Sequence, residues 1–133
     1  MRRVVFDTNI FISAFLTPGG RGEAALLLAI ARDVELFTSV PILTELARKL
    51  REKFDWDDEH VTAAVRHVAG AARIVKPSQR LTVLADEADN RILECALAAR
   101  AALIVTGDRH LLALGSYQSV SVIPLAKFLQ DMT

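Results

Sequence analysis

Asp7, Glu45, Asp89 and Asp108 are the side chains of this 133-residue sequence whose types and positions could do chemistry together. Asp7 closes the apolar run Val4-Val5-Phe6, and Asp108 follows Ile104-Val105-Thr106-Gly107. Glu45 falls in the second turn of a helix opened by Ser39-Val40-Pro41, and Asp89 in the first turn of one beginning at Asp86. Carboxylates gathered at one place suit Mg²⁺ or Mn²⁺, hard cations that take carboxylate and water oxygens. With such ions the chemistry is phosphodiester hydrolysis: the pKa of a water falls and charge on the phosphate oxygens is neutralised. No histidine cluster offers zinc geometry, and there is no Ser/His/Asp arrangement.

The elements that must position these acids alternate. Arg3 to Phe6, Val34 to Thr38, Arg73 to Val75, Ala102 to Thr106 and Ser119 to Ile123 are short runs that predict strands. Between them the pattern predicts a short helix through Phe15, a turn at Thr17-Pro18-Gly19-Gly20, and a helix over Arg21 to Arg32. Pro41 near a first turn opens the next helix, with Leu43, Leu46, Ala47, Leu50 and Phe54 as its apolar stripe. Asp55 to Asp58 break that pattern ahead of a helix over Glu59 to Ala71. Asp86 to Ala99, Arg109 to Leu114 and Pro124 to Asp131 are further helices. Strands separated by helices imply parallel βαβ units, hence a three-layer α/β/α sandwich with a central, mostly parallel sheet. Ligands in such sheets sit outside the carboxyl ends of the strands. If the strands before Asp7 and Asp108 are neighbours, both carboxylates emerge at that edge. Asp89 is less constrained, because Gln79 to Leu84 is not clearly a strand.

Each acid also has an ordinary reading. Asp7 and Asp108 could cap the helices that follow them. Asp86 with Asp89 resembles a capping box, and Asp89 suits the helix dipole. Glu45 could pair with Arg48 and Lys49 along its helix. All four arriving at one sheet edge by chance is the less economical account.

Three segments carry a family resemblance. Val4-Val5-Phe6-Asp7-Thr8-Asn9-Ile10-Phe11-Ile12 resembles the opening of PIN-domain proteins, Asp86 to Ala96 their third acidic motif, and Ile104 to Leu112 the fourth. Pro18-Gly19-Gly20 and Val122 to Leu129 are similar to a bacterial and archaeal branch labelled as toxin components of toxin–antitoxin pairs, like VapC-type toxins. The likeness spans essentially the whole chain. It implies one domain over residues 1–133 and Mg²⁺- or Mn²⁺-dependent endoribonuclease activity. It also implies Asp7, Glu45, Asp89 and Asp108 as metal-binding acids, with Asn9 and Thr106 orienting them. An antitoxin protein and RNA would be the partners. One departure concerns the second metal: where many relatives carry an acid two residues after the Thr-Gly-Asp aspartate, this chain has His110, read here as an ordinary exposed helix residue.

Sixteen basic and sixteen acidic side chains give no net charge, so RNA affinity must come from a local basic patch. The candidate contacts are Arg21, Arg48, Lys49, Arg91 and Arg109, whereas Arg51 and Lys53 read as a solvated, salt-bridged face. Phe11 and Phe15 read as core, and Trp56 is left open between packing and base stacking. His60 and His67 stand seven apart on one helix and are no metal pair. The lone Cys95 excludes an intrachain disulfide and a thiolate zinc site, and reads as a small buried hydrophobe. There is no signal peptide and no apolar run of the ~20 residues that cross a bilayer, so a cytoplasmic protein is expected. Apolar surface on Ile10 to Phe15 and Ala24 to Ile30 suggests a dimer face or an antitoxin groove.

Two competing functions frame this expectation. An Asp-nucleophile phosphatase would carry a second Asp where Asn9 stands. A catalytically silent PIN-fold binding module would keep the fold and the caps but not the metal.

Overall fold

The structure is a computed structural model that describes residues 1–133. The first strand, β1 (Arg3–Phe6), is buried from Val4 onward, as a β-branched run flanked on both sides must be. It pairs in parallel with β2 (Glu35–Thr38) on one side and β4 (Leu103–Thr106) on the other. A two-residue strand, β3 (Arg73–Ile74), extends the sheet beyond β2. On the far side β6 (Val120–Pro124) lies parallel to β4, and β5 (Ser116–Tyr117) closes that edge antiparallel to β6. The order is β3-β2-β1-β4-β6-β5. The expected mostly parallel sheet is therefore present, with β1 and β4 adjacent. β5 was not expected, because a two-residue strand after Gly115 leaves no periodic signal.

The chain leaves β1 toward β2 and later returns to the other side at β4. This makes the carboxyl ends of β1 and β4 the switch point where an open α/β sheet leaves a crevice. Outward crossovers carry α1 (Thr8–Leu16), α2 (Arg21–Ile30), α3 (Val40–Glu52) and α4 (Asp58–Ala71). Crossovers in the other direction carry α5 (Glu87–Ala99) and α6 (Arg109–Leu114), and right-handed connection places them on the opposite face. The last helix, α7 (Leu125–Asp131), packs back on α2 and the sheet. No helix is long and apolar enough to cross a membrane.

One continuous core holds these layers together. Phe6 meets Phe11 and Phe128 with ring centroids 5.8 and 5.6 Å apart, fixing α1 and α7 on β1. Gly22 allows α2 to close on α1, since a Cβ there would stand 2.7 Å from the Ala14 nitrogen. Phe11 is core, as expected. Trp56 packs edge-on against Phe15, which also meets His67, so the aromatic in the acidic turn serves packing. Leu43, Leu46 and Leu50 of the α3 stripe are buried, but Phe54 is 42% exposed because α3 ends at Glu52.

The stretch from Val75 to Asp86 has no helix or strand, yet it is tightly held. Asn90, fully buried on α5, accepts from the Leu84 N–H at 2.9 Å and donates to the Leu84 carbonyl at 2.8 Å. Its amide thereby supplies the two bonds that a neighbouring strand would. Glu94 accepts from the Leu81 N–H at 2.7 Å, while Arg91 donates to the Leu81 carbonyl and to Glu94. This brace delivers Asp86 to the start of α5.

Candidate metal centre

Asp7, Glu45, Asp89 and Asp108, far apart in sequence, line one polar cleft at the carboxyl ends of β1 and β4. Asp7 directly follows β1 and its N–H donates to the Val105 carbonyl of β4 at 2.9 Å, which seats it between the two strands. It stands at the N-cap position of α1, yet the Asn9 N–H pulls only weakly on its side chain and no full capping hydrogen bond forms. Instead Oδ2 accepts a 2.6 Å hydrogen bond from the Thr106 hydroxyl, whose oxygen accepts from the Asp108 N–H at 2.9 Å. Thr106 thus ties the two strand-end acids together.

Asp108 caps a helix and also lines the cleft: its Oδ2 accepts from the Leu111 N–H at 2.9 Å at the start of α6, and its charge acts on Asp89. Asp86 caps α5 through the Ala88 N–H at 2.9 Å and lines the same cleft, as does Glu87. The capping reading of Asp86 was right but incomplete, because only the tertiary structure turns that helix end toward Asp7. Glu45 is held along α3 by Arg48, with Nη2 at 2.6 Å and Nε at 3.1 Å on its two oxygens.

The electrostatics of the cleft are those of an acid cluster short of positive charge. Burial, and then the fields of Asp108, Asp86 and Asp7, push the Asp89 carboxyl up to about 7. Asp7 is raised by burial too, against the pull of the Thr106 hydroxyl and Lys49. Glu45 is lowered, chiefly by its hydrogen bonds to Arg48. As the chain stands, no three of these groups converge at metal-ligand spacing. The donor set is all oxygen, partly buried and under-compensated, which fits a hard divalent cation and not zinc.

One consequence is measurable. An unfolded Asp89 titrates near 3.8 and the native one near 7, so between these values the native state holds more protons. Lowering the pH from 8 to 5.5 without divalent ions should therefore raise the melting temperature. His60, raised by its hydrogen bond to Asp57, shifts in the same sense. The difference between wild type and Asp89→Asn isolates the aspartate. Equal pH responses in the two proteins would refute the assignment.

Of the other expected residues, Asn9, Arg48 and Lys49 line the cleft, while Arg21, Arg91 and Arg109 do not. Asn9 orients no acid through its side chain; its Oδ1 accepts from Lys49 Nζ at 3.2 Å. Arg91 is 12% exposed and bound to Glu94, Glu87 and the Leu81 carbonyl, so it braces the loop. Arg48 is committed to Glu45 and Glu52. Arg21 and Arg109 are exposed but outside the cleft, and so is His110. Arg51 pairs with Asp58 as expected, whereas Lys53 lines the cleft, contrary to its reading as a salt-bridged face residue. Cys95 is fully buried with its thiol pushed up to about 12 by burial, an inert core residue. The sequence reading missed Asn90 and Glu94. Their signal was two polar side chains one turn apart on the face of α5 that also carries Leu93 and Leu97.

A family model described as PIN domain matches residues 3–110. Uncharacterized protein MJ1680 of Methanocaldococcus jannaschii is 32% identical over 117 residues, spanning 84% of this chain and 74% of that protein. In structure, the chain is similar to one in the crystal structure of VapBC2 from Rickettsia felis bound to a DNA fragment from their promoter. The TM-score is 0.67 at 17% identity, covering 92% of this chain and 98% of that one.

Proposed function

This chain belongs to the PIN-domain family, and from that premise we propose that it is a Mg²⁺- or Mn²⁺-dependent endoribonuclease, the toxin of a toxin–antitoxin pair. The observation that carries this reading is the arrival of Asp7, Glu45, Asp89 and Asp108, from four separate elements, in one cleft at the sheet's switch point. These four would hold the ion. When bound, it supplies an acidified water and neutralises charge on the phosphate. Thr106 fixes one oxygen of Asp7 through its hydroxyl, and the Leu111 N–H fixes one oxygen of Asp108, which would leave the other oxygen of each acid for the ion. Glu45 would join them through the lone pairs its two bonds to Arg48 leave open.

The antitoxin partner is supported by the complex in which the Rickettsia neighbour is found and by surface on this chain. Leu27 and Ile30 of α2 are 53% and 42% exposed, and Leu16 at the end of α1 is 40% exposed. Leu27 and Ile30 belong to the apolar face expected to serve a dimer or an antitoxin, whereas Ile10, Phe11, Ile12 and Ala14 of α1 are buried in the core and Leu16 lies just beyond the expected stretch. A cytoplasmic location goes with that role.

The test is cleavage of a fluorescent single-stranded RNA pool with Mn²⁺, Mg²⁺ or EDTA, alongside the melting temperature under each condition. Cutting and thermal stabilisation should appear together with the ion and vanish with EDTA. An ion at about 100 times its Kd should stabilise by roughly 2.7 kcal/mol. Ion-dependent stabilisation without cutting of any RNA would favour the silent binding module.

A further inference from the structure

We infer that Lys49 and Lys53 form the track for the backbone phosphates of the bound strand, with Lys49 at the phosphate that reacts. The inference rests on the nuclease reading above and adds which cations of this chain meet the substrate. Of the cationic side chains near the acids, the arginines are spent: Arg48 on Glu45 and Glu52, Arg91 on the brace of loop 81–84. Lys49 and Lys53 both line the cleft. Six carboxylates share that cleft, yet the Lys49 ammonium goes to the neutral amide oxygen of Asn9, at 3.2 Å.

That placement has a physical meaning. A lysine paired with Asp7 or Asp89 would occupy the charge that the ion needs. Held by an uncharged acceptor, Lys49 stays close enough for its field to act on Asp7 and Glu45 without closing on either. An ammonium beside a dication is unfavourable unless an anion lies between them, and phosphate is the anion this chemistry brings. Lys53, the residue that closes the C-terminus of α3, stands one turn further on, about 6 Å along the axis at 1.5 Å per residue, and its field reaches Glu45 as well. The two ammonium groups therefore lead from the acids out along the α3 wall. Such contacts hold the backbone without reading bases, so the chemistry recognised is a phosphodiester strand.

The test measures binding and cutting separately. Labelled single-stranded RNA and DNA of one sequence are titrated by anisotropy in Ca²⁺ at several salt concentrations, their integrity checked on a gel. Mn²⁺ affinity without oligonucleotide is measured by electron paramagnetic resonance. Lys49→Met and Lys53→Met should each weaken oligonucleotide binding several-fold and flatten the salt dependence by a slope of about one. Lys49→Met should at the same time tighten Mn²⁺ binding, because a repelling charge is gone. Lys49→Arg should restore strand binding, and Arg109→Met should change neither quantity. RNA and DNA held alike support a backbone track, while RNA alone adds a preference to it. Cleft variants that bind like wild type, or a loss carried by Arg109→Met, overturn the track even if the enzyme cuts RNA. A wild type that holds the ion and the strand at these lysines but cuts nothing overturns the nuclease reading and leaves the track in place.

Discussion

Asp7→Asn should reduce metal-dependent RNA cleavage by more than about 100-fold while leaving the metal-free protein as stable as wild type or more so. The first half follows from position. Asp7 is the one acid seated between β1 and β4, and even residues acting behind metal ligands contribute 10–100-fold. The second half follows from burial. Asp7 is 5% exposed and its carboxyl is raised, so the charged form costs free energy that an amide of the same shape does not. An asparagine oxygen can still accept from the Thr106 hydroxyl. Melting in EDTA, melting in Mn²⁺ and single-turnover cleavage read these terms separately. The Mn²⁺-induced rise should shrink in the variant as activity is lost. Cleavage at the wild-type rate would remove Asp7 from the metal site, and a large loss of metal-free stability would make it a structural residue instead.

Asn90→Ala should destabilise the protein by about 3 kcal/mol, because it strands both backbone groups of Leu84. For a chain of this size that is a melting temperature lower by roughly 10 °C. The substitution acts on the site as well, since loop 81–84 and the first turn of α5 bring Asp86 and Asp89 to the cleft. Mn²⁺ affinity should fall although no ligand has changed. Asn90→Asp is the sharper variant: it keeps the acceptor for the Leu84 N–H, loses the donor, and adds a buried charge beside acids already short of compensation. It should be at least as unstable as Asn90→Ala. Chemical denaturation checks both, and a loss below about 1 kcal/mol would mean that water takes over the Leu84 bonds.

What the sequence by itself determined was set by local chemistry. The β-branched runs, the proline and aspartate at helix starts, and the order of the acidic motifs were enough for an α/β sandwich with Asp7 and Asp108 at strand ends. These features depend on residues within a few positions of one another, which periodicity and capping report. Even the Glu45–Arg48 pair was legible, being an i,i+3 contact on one helix.

The tertiary structure decided everything that depends on which surfaces meet. Pairing of β1 with β4 placed Asp7 against Thr106, ninety-nine residues away, and converted a nominal helix cap into a buried acid. Docking of α5 on the sheet buried Asn90 and Glu94 and turned them into the brace of a loop with no regular structure. The basic residues show the contrast most clearly. By sequence Arg91 and Lys53 are simply two cations on helices. The fold buries one in an ion pair and leaves the other beside the acids. A charge is spent or free according to the partner that the fold brings within reach, and Coulomb energy depends on distance and burial, not on position along the chain.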